Sequence, residues 1–265
     1  MANATGDSNL LALVPADWLS AEDRAGATPV EAGMSDAAVF RIGASRPRYL
    51  KIAERDAADA LRQEIARTGW LGRQGVQVPR LLRTLESADV AAMLTAELPG
   101  VAVADCERPI PEIVDIIARG FAGLHAVPAA GCPFDESVAA RLARARVLIA
   151  RGDVDPAHFE WRNRQLTPQQ LYDRIAPRAP AAGTAVVVHG DATFDNMRVD
   201  AAGTLGLLDC GHAGRGDRYV DLERIASEIA EHFGARWLAA FRRGYGIATW
   251  DDDRAGFFAD LYELF

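Results

Sequence analysis

Lysine is nearly missing from this chain of 265 residues: Lys51 is the only one, against 28 arginines. Where either cation serves, the chain uses guanidinium, so the single ammonium marks a place that needs a compact point charge with three rotatable donors. Cysteine is scarce too. Cys106, Cys132 and Cys210 are scattered, odd in number and without metal-ligand spacing, which argues against a disulfide framework or a zinc site and predicts free buried thiols. No apolar run reaches the roughly 20 residues that a bilayer span requires, and the opening "MANATGDSNLLALVPADW" has neither a basic start nor an export-length apolar segment. A cytoplasmic protein with no membrane partner is expected. Positive charge is in deficit, the net charge being −8, which disfavours nucleic acid and suits a cationic ligand. Internal repeats and low-complexity tracts are also absent, so the 49% apolar content is available for one folded unit or a close pair.

The first third of the chain reads as strands around one helix. "TPVEAGMSDAAVFRIG" places a turn at Gly33, Met34 and Ser35 between two strands, and "RPRYLKIA" alternates as a strand does. "RDAADALRQEIARTGWLGRQG" spaces Ala57, Leu61, Ile65 and Ala66 at helical intervals and predicts a helix ending on Gly69 or Gly72. "VPRLLRTLESADVAAMLTAELPG" returns to strand character and closes on Pro99 and Gly100, a hinge signal. Helices then dominate: "PEIVDIIARGFAGLHAV", "DESVAARLARARVLIA" with Asp135 as its cap, "PQQLYDRI", and a further set from about Val220. Between them, residues 184 to 209 read as three short strands. A small sheet lobe followed by a larger helical lobe is predicted.

The chemistry concentrates in "VVVHGDATFDNMRVDAAGTLGLLDCG". Its members are His189, Gly190 and Asp191, then Asn196 five residues after the Asp, then Asp209 and Gly211 after a further apolar strand. Singly, each is ordinary turn chemistry. In this order they suit phosphoryl transfer: Asp191 orients an incoming hydroxyl and takes its proton, while Asn196 and Asp209 offer hard oxygen ligands to Mg²⁺. The same order occurs in protein kinases as H-R-D-x-x-x-x-N followed by D-F-G. On that pattern Lys51, in the strand "YLKIA", contacts nucleotide phosphates and pairs with Glu64 in the next helix, whereas Arg62 faces another way.

Over nearly its whole length the chain resembles the aminoglycoside phosphotransferase family, specifically the branch acting on the 3'-hydroxyl. The resemblance lies in "GMSDAAVFRI", "LKIA", "LRQEIARTGWL", "ELPG", "LHAV", "CPFDESVAARLARA", "HGDATFDNM", "LLDCGHAGRGDRYVDL" and the closing "ELF". It implies an α+β, two-lobed protein-kinase-like fold, with a small N-terminal antiparallel sheet lobe (1 to 97) for nucleotide and a larger, mainly helical lobe (98 to 265, hinge at 98 to 100) for catalysis and substrate. ATP and Mg²⁺ are the implied cofactors, an aminoglycoside the substrate, and a monomer or weak dimer the expected state. It also implies that Asp191 is catalytic, that Asn196 and Asp209 hold Mg²⁺, and that Gly33, Ser35, Lys51, Glu64, Thr95, Ala96 and Leu98 serve the nucleotide. Glu160, Glu231, Glu263 and the terminal carboxylate of Phe265 would form the acidic sugar pocket. The chain departs from the family pattern at Ala157, His158, His212 and Tyr262, which bears on the drugs accepted. Two alternatives stay open: a kinase of the same fold for another small cationic alcohol, and a nucleotide-binding protein without catalysis.

Overall fold

The computed structural model describes residues 10 to 30 and 37 to 265. The predicted turn at Gly33 to Ser35 and both of those nucleotide-loop candidates lie outside the described residues. By internal contacts the chain divides into residues 1 to 100 with 206 to 211, and residues 101 to 205 with 212 to 265. The first unit therefore takes back a short later segment, and with it Asp209.

In the first unit, after the short helix α1 (Ala21–Ala25), the strands β1 (Thr28–Val30), β2 (Ala38–Ile42), β3 (Arg48–Glu54), β4 (Leu81–Glu86) and β5 (Val90–Ala96) form one antiparallel sheet. Its order is β1-β2-β3-β5-β4. Successive side chains of a strand point to opposite faces, and this alternation places Lys51. Leu50 and Ile52 pack with Phe40, Ile42, Ala92, Leu94 and Trp18 in one buried cluster. Ala53 instead joins Ala91 and Met93 against Ala58, Leu61 and Ile65 of α2 (Asp56–Arg73). Lys51 shares the Ala53 side and so meets the helix. Each large aliphatic side chain buried in these clusters contributes about 1.5–3 kcal/mol.

Helix α2 runs through both Gly69 and Gly72, where a helix end was expected, and stops at Arg73. Gly69 is a packing position, since a Cβ there would meet Leu81 of β4 at 3.3 Å. The left-handed backbone that closes the turn belongs to Gly75, with φ +83°.

The second unit is mostly helical: α3 (Ile110–His125), α4 (Val138–Arg151), α5 (Pro168–Ile175), α6 (Tyr219–His232), α7 (Leu238–Tyr245) and α8 (Asp252–Tyr262). Phe257, Phe258, Leu261 and Leu264 pack with Leu171, Ile175, Val186, Val188 and Tyr219 to make its core. Strand β6 (Val101–Ala102) pairs antiparallel with β9 (Met197–Val199). A second small sheet has the order β7-β11-β8, from Asp135–Glu136, Gly214–Gly216 and Val186–Val188. Strand β10 (Leu205–Leu207) leads the chain back into the first unit. Ser137, not Asp135, caps α4, its hydroxyl accepting from the Ala140 N–H at 3.3 Å. Asp135 sits in β7 and accepts from the Ser137 N–H, so it shapes the approach to the cap.

Candidate active site

The first unit assembles a cation between two carboxylates. Lys51 Nζ donates to Glu64 Oε2 at 2.7 Å and to Asp209 Oδ1 at 2.8 Å. Side-chain exposures of 13%, 8% and 48% respectively make Glu64 the buried anchor and Asp209 the accessible group. Burial works against the ammonium, but the two carboxylates outweigh it and the Lys51 pKa is raised. Burial likewise pushes the Glu64 carboxyl up against the pull of Lys51. Asp209 has φ +53°, an uncommon conformation for a residue with a side chain and a mark of a constrained turn. Arg67, two turns beyond Asp59 on α2 and buried, donates to the Gly211 carbonyl and ties that turn to the helix. Arg62 bonds Asp59 and the carbonyls of Ser87 and Ala88, away from Glu64.

At the end of β5, the Ala96 N–H donates to the Arg80 carbonyl at 3.0 Å. Thr95 is buried, its hydroxyl 3.4 Å from the Tyr49 carbonyl. Leu98 is buried against Gly206, where an added Cβ would stand 2.8 Å from a Leu98 methyl.

The second unit carries the other candidates on the loop after β8. Asn196 Nδ2 donates to the Asp191 carbonyl at 3.0 Å and to Asp191 Oδ2 at 2.9 Å, so both bonds use the amide nitrogen and neither uses the side-chain carbonyl oxygen. Tyr262 Oη, at the end of α8, donates to Asp191 Oδ1 at 2.9 Å. Asp191 itself is partly exposed.

A fully buried carboxylate sets the loop. Asp221 of α6 accepts from the His189 and Gly190 N–H groups, both at 2.8 Å, and pairs with His125 Nε2 at 3.0 Å. Burial opposes the Asp221 charge, yet these partners hold its pKa below the usual carboxylate value. His125 Nδ1 is in turn 2.8 Å from Tyr245 Oη. Gly190 has φ +87°, and a Cβ there would lie 2.2 Å from the His212 carbonyl oxygen. Gly190→Ala is therefore expected to lose about 2–4 kcal/mol of stability, from left-handed strain plus overpacking. Urea titration of the variant measures the loss.

Behind the loop, buried Glu136 pairs with Arg141 at 3.3 Å and with Arg144 at 2.8 Å, and Arg141 donates to the Gly190 carbonyl at 3.2 Å. The Phe265 ring lies under both guanidiniums, 4.9 Å from Arg141 and 5.9 Å from Arg144. His212 Nδ1 is 3.4 Å from Arg144. Burial and the two arginines push its pKa down to about 4, so the imidazole is neutral and accepts from Arg144.

The acidic candidates divide. Glu263 Oε2 accepts from the Glu160 N–H at 3.0 Å, and its Oε1 from Asn163 Nδ2 at 2.7 Å. With 6% side-chain exposure, Glu263 pins the loop of Glu160 to α8. Asn163, wholly buried, also bonds Asp260 at 3.1 Å, and Arg162 and Arg174 pair with the same carboxylate. Glu160 is exposed, and this network holds its backbone N–H. Glu231 is exposed in the last turn of α6, and no hydrogen bond ties it to that group among the described residues.

Reasoning from the sequence missed Asp221, His125, Glu136, Arg141 and Asn163. The available signal was polarity inside apolar periodicity: Asp221 and His125 occupy core-facing positions of α6 and α3, where an unpaired polar group is costly.

A family model described as the phosphotransferase enzyme family matches residues 26–258. A streptomycin 3''-kinase of Streptomyces griseus is 32% identical, over 95% of this chain and 93% of the relative. The solved structure of an aminoglycoside phosphotransferase of Streptomyces rimosus, in complex with ADP and streptomycin, superposes with a TM-score of 0.83 at 31% identity, covering 100% of this chain and 99% of that one. The crystal structure of an aminoglycoside-3'-phosphotransferase of type VIII gives a TM-score of 0.85 at 29% identity, over 99% of this chain and 100% of that one.

Proposed function

This chain belongs to the phosphotransferase enzyme family, and we infer that it is an ATP-dependent kinase that phosphorylates the 3'-hydroxyl of aminoglycosides and so confers resistance to them. The observation that carries the reading is the pairing of Lys51 with Glu64 at 2.7 Å and Asp209 at 2.8 Å. A lone lysine fixed between a buried and an accessible carboxylate suits triphosphate handling better than any structural role, because an exposed Asp209 adds little to stability.

In this reading residues 1 to 97 hold the nucleotide: Lys51 meets its phosphates, Glu64 orients Lys51, and the Ala96 and Leu98 backbone receives the base beside Thr95. Gly33 and Ser35 are assigned to the loop over the phosphates. Residues 98 to 265 supply the acceptor side. Asp191 accepts the proton of the attacking hydroxyl and aims its oxygen at the γ-phosphorus; the bond to ADP breaks as the new phosphate ester forms. Asp209 and Asn196 suit Mg²⁺, one by an accessible carboxylate and the other by the oxygen of an amide whose nitrogen is fixed on Asp191. Two such ligands leave the remaining positions of an ion to phosphate oxygens and water. When bound, that ion would neutralise phosphate charge.

Glu160, Glu231, Glu263 and Phe265 are assigned to the sugar, with Glu160 as the accessible charge and Glu263 as its support. Converging carboxylates concentrate a polycationic drug and limit its orientations. We assign the enzyme to the cytoplasm, where ATP is supplied, and take it to be a monomer or weak dimer. The streptomycin 3''-kinase similarity favours streptomycin as the second acceptor to test. ADP release with ATP and Mg²⁺ is expected with kanamycin and not with a matched compound lacking the 3'-hydroxyl. Equal turnover of both would refute the regiochemistry.

Lys51→Arg tests the nucleotide half. The guanidinium is larger and plans its donors in a fixed fork, so it does not fit between Glu64 and Asp209 as the ammonium does. kcat/KM for ATP is expected to fall roughly 10- to 100-fold, the range for a lost hydrogen bond between charged groups. A near-normal value in steady-state assays would leave Lys51 without a role in nucleotide handling.

A further inference from the structure

Six residues close a ring around the loop after β8. Tyr262 Oη donates to Asp191 Oδ1 at 2.9 Å, and the Tyr262 ring lies under the Arg224 guanidinium at 4.8 Å. Arg224 pairs with Glu228, whose other oxygen accepts the Phe194 N–H at 2.9 Å. Phe194 opens the 3₁₀ turn that carries Asn196, and Asn196 returns to Asp191 Oδ2 at 2.9 Å. The two carboxylate oxygens of Asp191 are thus each held by one neutral donor from a different element.

We propose that Tyr262 is a positioning residue for phosphoryl transfer, its hydroxyl fixing the rotation of the Asp191 carboxylate so that the free lone pair of Oδ1 faces the acceptor hydroxyl. The proposal rests on the reading of Asp191 as the acceptor-side carboxylate. An ionised carboxylate oxygen has two lone pairs; on Oδ1 one is taken by Tyr262 and one is left for the incoming hydroxyl. Asn196 alone cannot hold the group, because it also serves the Asp191 backbone carbonyl and sits on a short turn. Burial, with Asp191 adding to it, pushes the Tyr262 phenol up, so the hydroxyl remains a donor across the neutral range. Arg224 is what keeps the ring still. It stacks on one face while its charge is spent on Glu228.

The ring and the hydroxyl have separable roles, and two substitutions divide them. Tyr262→Phe keeps the stack on Arg224 and removes only the donor, whereas Tyr262→Leu removes both. With kanamycin and streptomycin as acceptors, Tyr262→Phe is expected to lower kcat roughly 10- to 100-fold, the range for losing a hydrogen bond to a charged group. KM for ATP and the melting temperature should stay near the wild-type values, while Tyr262→Leu should also melt lower. In an Asp191→Asn background, Tyr262→Phe should cause no further loss of kcat, because the hydroxyl acts through that carboxylate. Wild-type kcat in Tyr262→Phe, a melting temperature as low as that of Tyr262→Leu, or an additive loss in the double variant would overturn the proposal. Wild-type enzyme that turns over neither drug would overturn the functional reading, and this proposal with it.

Discussion

Asp191→Asn is expected to lower kcat by roughly 10²- to 10⁴-fold, the usual contribution of a positioned general base. The change is nearly isosteric, so the oxygen that accepts from Tyr262 can stay in place. The other position fares worse: an amide nitrogen would face Asn196 Nδ2, donor against donor, where a 2.9 Å hydrogen bond now stands. Proton acceptance is removed altogether, which is why the rate and not the fold takes the main loss. Nucleotide affinity should change far less than kcat, since Asp191 handles the acceptor hydroxyl rather than the nucleotide. Calorimetric titration with a non-hydrolysable ATP analogue, beside steady-state kinetics, separates the two effects. Weakened nucleotide binding with an intact kcat would contradict the assignment of Asp191 to the acceptor.

Asp221→Ala should be the most damaging single change to the fold, at about 3–5 kcal/mol, the loss seen when one partner of a buried charge network is removed. Its carboxylate satisfies the His189 N–H, the Gly190 N–H and His125 Nε2, and it has no exposure to water. Truncation removes the acceptor of two backbone N–H bonds in a buried site, and a buried donor that loses its acceptor costs about 1–3 kcal/mol. It also frees the segment that aims Asp191. Urea unfolding is expected to show the lower midpoint, and turnover should fall even where the variant is folded. A midpoint equal to wild type would show that water or a neighbour replaces the carboxylate.

The local part of this architecture was legible in the sequence. Alternation in "RYLKIAE" places Lys51 opposite Leu50 and Ile52, and helical spacing puts Glu64 on the side of α2 that meets it. The helix "PQQLYDRI" coincides with α5 because a cap, a proline at the first position and the apolar spacing all agree there. Asp191, Asn196 and Asp209 were visible since their spacing is itself the signal. Partners brought together from far along the chain were not: Asp221 lies 31 residues from Gly190, and His125 lies 96 from Asp221. No periodicity predicts such a meeting. Gly69 and Gly72 read as helix ends because glycine favours that position, whereas the close approach of Leu81 to Gly69 needs the third dimension. Tyr262 read as a departure that bears on the drugs accepted; in the structure its hydroxyl donates to Asp191. Glu263 was legible only as an acidic residue near the end of the chain; its bonds to Asn163 and the Glu160 backbone, 100 and 103 residues away, were not.

The central claim is that this chain moves the γ-phosphoryl group of ATP onto one hydroxyl of an aminoglycoside. Incubation of the purified protein with ATP, Mg²⁺ and kanamycin, followed by mass spectrometry and phosphorus–proton correlation NMR of the sugar product, tests it directly. The account predicts a drug heavier by one phosphoryl group, with its phosphorus coupled to the 3' proton and one ADP formed per product. ADP formation with unmodified kanamycin, or phosphorus coupled to a different ring proton, would contradict it.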